Sequence, residues 1–291
     1  MLDVVNRADK AAFDAQVLHS GIPLDLEKAG NSLSAGSIGL LKDANILDIG
    51  CGLGDLTYGL THSPAISNSA VYAFDHSVES LRQAAFAQIP ANGNSVHFSA
   101  QDALKLFFAD NFFDFAAGSA VLHHFHDYPA FLNELARVLK PGAKAIFSEP
   151  FFDGYLWPTL FLKNAIEEQG LTLNAPGLGS ASVIVGLADF IARHRGADPE
   201  LEHMTDKHFF RESEVSLAAT TAGFRSVQFM NVAQPDFYTA WMPYFLDIYG
   251  VTHQKVRRSA ITQYDRAAAL ASPLLPELMS HFKYIVLQKS C

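Results

Sequence analysis

Between Asn45 and Ser148, short apolar runs alternate with segments whose apolar residues recur at helical spacing. Asn45-Ile46-Leu47-Asp48-Ile49 is nearly continuous in apolar character, as a strand buried on both faces requires. It runs into Gly50-Cys51-Gly52-Leu53-Gly54, after which Leu56 and Leu60, with Tyr58 and Thr61, fit a short helix. Ala70-Val71-Tyr72-Ala73-Phe74 predicts a second strand, ending at Asp75, and Ser77 offers an N-cap to a helix carrying Leu81, Ala84 and Ala85. Val96-His97-Phe98 and Phe113-Asp114-Phe115-Ala116-Ala117 predict two more strands. Phe131, Leu132, Leu135, Val138 and Leu139 then repeat at helical spacing. Lys140-Pro141-Gly142 is expected to stop that helix before a fifth strand, Lys144-Ala145-Ile146-Phe147-Ser148.

From Glu149 to about Arg211 the strand signal gives way to aromatic residues, Gly, Pro and helical stretches such as Leu160 to Gln169 and Ala181 to His194. Ser213 to Ala222 reads as a helix closed by Gly223, and Arg225 to Phe229 and Phe282 to Gln288 as final strands. Roughly fifty residues lie between those strands, far more than the 2 to 5 of a hairpin, so they form an insertion. The fold expected is α/β: a doubly wound, mostly parallel, seven-stranded Rossmann-like sheet in a single domain, residues 1–291. Its core would be about 43–150, 212–231 and 282–291, with a helical cap from about 1–42, 151–211 and 232–281.

Composition narrows the function classes. The hydrophobic content of 49% and the 23 Phe can fill a core without staples. A formal net charge of −9 argues against a nucleic-acid surface, which needs clustered Lys and Arg. Lys255-Val256-Arg257-Arg258 is the one short basic cluster; it reads as a solvated helix face or as a contact for an acidic substrate group. No stretch approaches the ~18 apolar residues of a membrane span, and the first residues lack the layout of a signal peptide. Cys51 and Cys291 stand too far apart in sequence to suggest a disulfide framework, which fits a cytoplasmic protein.

The chemistry concentrates around the first strand. Asp48 places a carboxylate near its end, and Gly50, Gly52 and Gly54 let backbone approach a ligand closely in the turn that follows. A dinucleotide fingerprint would place its third glycine three residues after the second, where this chain has Asp55. Carboxylates there suit a ligand ammonium and repel a pyrophosphate, which counts against a nicotinamide dehydrogenase. Asp75 follows the glycines by about twenty residues, a spacing that suits hydrogen bonds to ribose hydroxyls.

The blocks ILDIGCGLGDL, VYAFDHS, SAQDALKL, NFFDFAAGSAVLHHF and ELARVLKPGAKAIFSEP, in that order, make roughly residues 40 to 150 resemble the class I S-adenosylmethionine-dependent methyltransferases. The resemblance implies S-adenosylmethionine as cofactor. It implies that Asp48, Gly50, Cys51, Gly52 and Gly54 cradle the amino acid portion, that Asp75 takes the ribose, and that His76, Asp102 and Ala103 meet the adenine. Ser119 and Ala120 would follow the fourth strand beside the methyl donor. Residues 151 to 281 share no such resemblance, so the acceptor is left open beyond a small, largely apolar molecule.

Leu122-His123-His124-Phe125-His126-Asp127 packs three histidines and an aspartate into five positions. Residues so close on a turn do not readily converge on one ion, so no metal is expected. His123 and His124 are instead candidates for a general base or acceptor contact, with hydrogen bonding to loop or cap backbone as the alternative. The aromatic stretches Phe151-Phe152 with Tyr155-Leu156-Trp157, and Phe237 to Phe245, would either line an apolar pocket or fill the core of the cap. Two other readings remain on the same fold: a cyclisation or rearrangement with S-adenosylmethionine merely bound, and a non-catalytic S-adenosylmethionine-binding protein.

Overall fold

The computed structural model describes residues 39–87, 90–181, 185, 207–231, 235–270 and 282–291. Its strands are β1 (Leu41–Lys42), β2 (Asn45–Ile49), β3 (Ile66–Ser67), β4 (Ala70–Asp75), β5 (Ser95–Ala100), β6 (Phe113–Ser119), β7 (Leu139–Pro150), β8 (Phe224–Asn231) and β9 (Phe282–Lys289). The helices are α1 (Asp55–His62), α2 (Val78–Ala87), α3 (Tyr128–Val138), α4 (Phe152–Glu168), α5 (Glu212–Thr221), α6 (Pro235–Ile248) and α7 (Gln254–Leu270). Seven strands form one sheet in the order β5-β4-β2-β6-β7-β9-β8. The pairs from β5 to β7 are parallel, and β9 runs antiparallel between β7 and β8. The doubly wound, mostly parallel sheet expected from the alternation is therefore present.

The apolar runs became strands because helices cover them. Ile46, Leu47 and Ile49 are buried, as are Leu135 and Val138 of α3 and Leu56 and Leu60 of α1. Asp127 caps α3, its Oδ1 accepting the Ala130 N–H at 2.9 Å, while the Ser77 hydroxyl accepts the Ser80 N–H at 3.2 Å in the first turn of α2. Strand order reverses at β2, whose two neighbours β4 and β6 lead to opposite sides of the sheet. The crevice beyond the carboxyl ends of these strands is where open α/β sheets bind ligands.

Helices α4, α6 and α7 build a second apolar cluster around Leu162, Ile166, Trp241, Met242, Phe245, Val256 and Tyr264. Pro158 lies inside α4 and has no N–H to give the carbonyl four residues back. That carbonyl, on Gly154, accepts the Trp241 indole N–H at 3.3 Å instead, which ties α6 to α4. The aromatic residues Trp241 and Phe245 thus fill the interior of the helical layer rather than a pocket wall.

Three expectations change. Lys140-Pro141-Gly142 does not separate α3 from a later strand: β7 starts at Leu139, immediately after the helix. Phe113 pairs with Leu139 and Phe115 with Lys144, so the proline falls in a bulge where its missing N–H costs no ladder bond. Leu41–Lys42, expected to be helix or turn, pairs with Ile66–Ser67 in a small parallel sheet. Helix α4 begins at Phe152, well before Leu160, because the aromatic residues at its start pack into the layer. Most of the expected helix Ala181 to His194, and residues 1–38, lie outside the described residues.

Candidate functional site

Each glycine of the turn after β2 has a left-handed backbone, with φ of +61° at Gly50, +51° at Gly52 and +90° at Gly54. The Cys51 N–H donates to the Phe74 carbonyl at 2.9 Å, and the Gly54 N–H to the Cys51 carbonyl at 2.8 Å. A Cβ on Gly50 would lie 2.2 Å from Cγ2 of Val121, whereas one on Gly52 would meet nothing within 4 Å. Gly50 is required by a neighbouring side chain; Gly52 leaves open space above the turn.

Three carboxylates surround this turn. Asp48 is fully buried; its Oδ2 accepts the Thr57 hydroxyl at 2.5 Å and its Oδ1 has no hydrogen-bond partner among the described residues. Burial pushes its pKa up to about 7, opposed by the Thr57 bond and reinforced by the charges of Asp75 and Asp55. Asp75, also buried, uses Oδ2 to accept the Gly52 N–H at 2.9 Å and Oδ1 to accept the Ser77 N–H at 2.8 Å. His76 Nδ1 lies 3.4 Å from Asp75 Oδ1. The buried Cys51 thiol is pushed far up by burial and by both neighbouring aspartates, so it stays protonated and unreactive.

The segment after β5 is fixed to the same place. The Gln101 N–H donates to the Asp75 carbonyl at 3.2 Å, and Gln101 Oε1 accepts the Phe107 N–H at 2.9 Å. Asp102 is exposed and closes a local turn with the Leu104 N–H at 2.9 Å; Ala103 beside it is half-buried. Arg137 of α3 holds the far end of the loop, donating to the Phe108 carbonyl at 2.8 Å and to Asp110 and Glu134 at 2.7 Å each. Ser119 and Ala120 are exposed at the end of β6, where the Ala120 N–H donates to the Ser148 carbonyl at 2.8 Å. The residues expected around the cofactor thus line the carboxyl ends of β2, β4, β5 and β6.

The histidine run is dispersed. His123 is buried in the 3₁₀ turn Leu122–His124, with Nδ1 2.7 Å from Glu149 Oε2; the His124 ring lies 4.0 Å from it, centroid to centroid. His126 is exposed and Asp127 is spent as the helix cap. Among the described residues no group of three or more His, Cys, Asp or Glu is arranged to hold a metal. The returning segment ahead of α5 crosses this turn: the Lys207 N–H donates to the His123 carbonyl at 2.8 Å, and His208 Nε2 lies 2.9 Å from the Phe125 carbonyl oxygen. Burial holds the His208 pKa below the ordinary histidine range.

Sequence reasoning missed Glu149, Thr57 and Val121. Glu149 is fully buried at the end of β7, and Oε1 accepts the N–H groups of Val121 at 3.0 Å and Leu122 at 2.8 Å. A signal was present: a carboxylate ends this apolar strand just as Asp75 ends β4. Thr57 and Val121 carried none, being ordinary residues at positions whose neighbours only the fold defines.

Residues 47–147 match the family model described as Methyltransferase domain. The chain is 30% identical over 173 residues to the demethylmenaquinone methyltransferase of Staphylococcus aureus, a match covering 53% of this chain and 70% of that one. This chain belongs to the class I S-adenosylmethionine-dependent methyltransferases. It is 42% identical over 104 residues to the 2-phytyl-1,4-naphtoquinone methyltransferase of Trichormus variabilis, covering 34% of this chain and 43% of that one. Several of the curated relatives are matched over less than half of their own length. The fold is also that of a chain from the complex between the Haloferax volcanii Trm112 methyltransferase activator and a methyltransferase. The TM-score is 0.59 at 15% identity, covering 99% of this chain and 100% of that one.

The turn fits S-adenosylmethionine on one structural ground. A buried carboxylate oxygen with no partner among the described residues, near enough to the charges of Asp75 and Asp55 to be raised by both, suits an ammonium group and disfavours a phosphate.

Proposed function

We propose that the protein transfers a methyl group from S-adenosylmethionine to a small, largely apolar acceptor. The buried Oδ1 of Asp48, which has no hydrogen-bond partner among the described residues, carries this reading. Its partner would be the α-ammonium of the cofactor, with Gly50, Cys51, Gly52 and Gly54 presenting backbone to the amino acid portion. Asp75 would take the ribose hydroxyls, and His76, Asp102 and Ala103 would flank the adenine, with Ser119 near the methyl donor. Bound S-adenosylmethionine supplies an electrophilic methyl group on a sulfonium.

The chain's own work is placement and exclusion of water. In-line displacement needs the nucleophile about 3 Å from the methyl carbon, and holding both partners supplies much of the acceleration. The helical layer of α4, α6 and α7 serves as a lid within a single domain, keeping water out. The net charge of −9 supports a small molecule over a nucleic acid as acceptor, and the free Cys51 and Cys291 accord with a cytoplasmic setting. The relatives named for naphthoquinone and menaquinone chemistry support an apolar one.

Calorimetric titration with S-adenosylmethionine, and separately with NAD, tests the proposal. Micromolar binding of S-adenosylmethionine that disappears in Asp48→Ala is expected; NAD binding, or no binding of either, would overturn it. Methylated product detected by mass spectrometry separates transfer from cyclisation or silent binding.

A further inference from the structure

Helix α7 carries two unlike stripes. Val256, Ala260 and Tyr264 are buried in the helical layer. Lys255, Arg258, Thr262 and Arg266, spaced three and then four residues apart, share one exposed face. The end of α4, with Glu168 and Gln169, forms the facing wall, and the space between is a groove of about 620 Å³ lined by all four stripe residues. Helix α4 has 17 residues, so it is roughly 25 Å long, and it begins beside the end of β7. The groove therefore lies a helix length away from the crevice at the strand ends.

The one carboxylate lining the groove is already engaged: Glu168 Oε2 accepts the Ser259 hydroxyl, and Oε1 accepts an Nε2–H of Gln263 at 3.2 Å. Lys255, Arg258 and Arg266 have no side-chain hydrogen bond and no ion pair among the described residues. Arg257, next in the chain, differs: it pairs with Asp247 at 2.8 Å and donates to the Val251 carbonyl at 2.8 Å. Acidic partners are not scarce in a chain with 30 of them against 21 basic residues, yet three cations face this groove. Asp265 adjoins Arg266 on the helix but does not line the groove. Lys255 also stands in the first turn of α7, which holds no acidic residue, although a helix N-terminus favours anions over cations. Like charges one turn apart repel, and a bound anion relieves that repulsion.

We propose that the groove between α4 and α7 binds a small polyphosphate, with Lys255 and Arg258 on one end of it and Arg266 on the other. Its volume is that of a small-molecule site. Lys255 and Arg258 lie one turn apart, and Arg266 is roughly 12 Å farther along the axis, so a ligand with charges in a row engages all three where a single anion does not. The guanidinium forks of Arg258 and Arg266 match phosphate oxygens two at a time, and Lys255 adds a point charge. A bilayer fits less well, because the apolar stripe of α7 faces inward and leaves nothing on this face to insert.

Calorimetric titration of the full chain with inorganic tripolyphosphate tests the site without any methyl acceptor. Expected is binding of one tripolyphosphate per chain that weakens as salt is added. Affinity should fall about tenfold or more in Arg258→Ala and in Arg266→Ala, and stay unchanged in Lys42→Ala, which removes an exposed cation from β1. Alanine suits an exposed helix position, so both α7 variants should melt as the wild type does.

No binding of tripolyphosphate, or an equal loss in Lys42→Ala, overturns the site. Orthophosphate bound as tightly as tripolyphosphate overturns the need for several phosphates in a row. Two further arms separate other sources of the same charge. Sedimentation with phosphatidylglycerol vesicles but not with phosphatidylcholine vesicles, lost in Arg258→Ala and Arg266→Ala while tripolyphosphate does not bind, would assign the face to a bilayer and overturn the proposal. A deca-glutamate peptide bound more tightly than tripolyphosphate, and lost in the same variants, would assign it to an acidic protein segment and overturn the proposal equally.

Discussion

The side chain of Val121 stands where a Cβ on Gly50 would have to go, 2.2 Å from its Cγ2. The loop after β6 and the glycine turn after β2 therefore lock together, and two glycines of one turn have different duties. Gly50→Ala would force both the left-handed backbone and the overlap, and is expected to destabilise the protein by about 2 kcal/mol or more. Gly52→Ala carries backbone strain alone, on the order of 1 kcal/mol, and should fold. Its added methyl would instead occupy the open space, weakening S-adenosylmethionine binding by tenfold or more. Thermal unfolding and calorimetry on both variants check the contrast.

Asp48 should make the stability of the unliganded protein pH-dependent. Its folded-state pKa is raised from 3.8 to about 7, so the folded state holds a proton that the unfolded chain has released across that interval. The stability linked to that proton is fully present below pH 3.8 and is lost as pH rises through about 7. Asp48→Asn should flatten this part of the profile while abolishing cofactor binding. In the wild type, affinity for S-adenosylmethionine should rise as pH passes through about 7, with proton release on binding. Calorimetry in buffers of different ionisation enthalpy measures that release.

Asp75 connects two backbone segments before any ligand arrives. Asp75→Ala would leave the N–H groups of Gly52 and Ser77 without their acceptor, costing about 1–3 kcal/mol of stability as well as cofactor affinity. Asp75→Asn keeps one acceptor oxygen and should fall between the two. Chemical denaturation together with calorimetry separates the effects.

Phe245 is fully buried in the helical layer, in a cluster apart from the one that holds Leu47 and Ile49. Phe245→Ala should cost about 3–5 kcal/mol and loosen α4, α6 and α7 first. Hydrogen exchange is expected to show lost protection there, with protection of β2 and β4 retained and S-adenosylmethionine affinity nearly unchanged. Equal loosening of β2 would show that the two clusters unfold as one.

Much of this protein was legible before any fold was known. The apolar runs at Asn45–Ile49 and Ala70–Phe74 determined strands, because a stretch without alternation must be covered on both sides. Asp48, the three glycines and Asp75 were legible because left-handed turns and strand-end carboxylates use few residue types. The bulge at Lys140-Pro141-Gly142 was not: the motif reads equally as a helix stop, and only pairing with β6 showed that the proline's missing N–H falls outside the ladder. The aromatic residues Trp241 and Phe245 had apolar character in sequence but no address. The tertiary structure placed them inside the layer, where the Gly154 carbonyl orphaned by Pro158 receives the indole N–H. Glu149 and His123 stand 26 residues apart, and nothing local ties them. Their contact exists because parallel pairing of β6 with β7 brings both strand ends to the same edge, and long-range pairing of this kind is written in the sheet rather than in either segment.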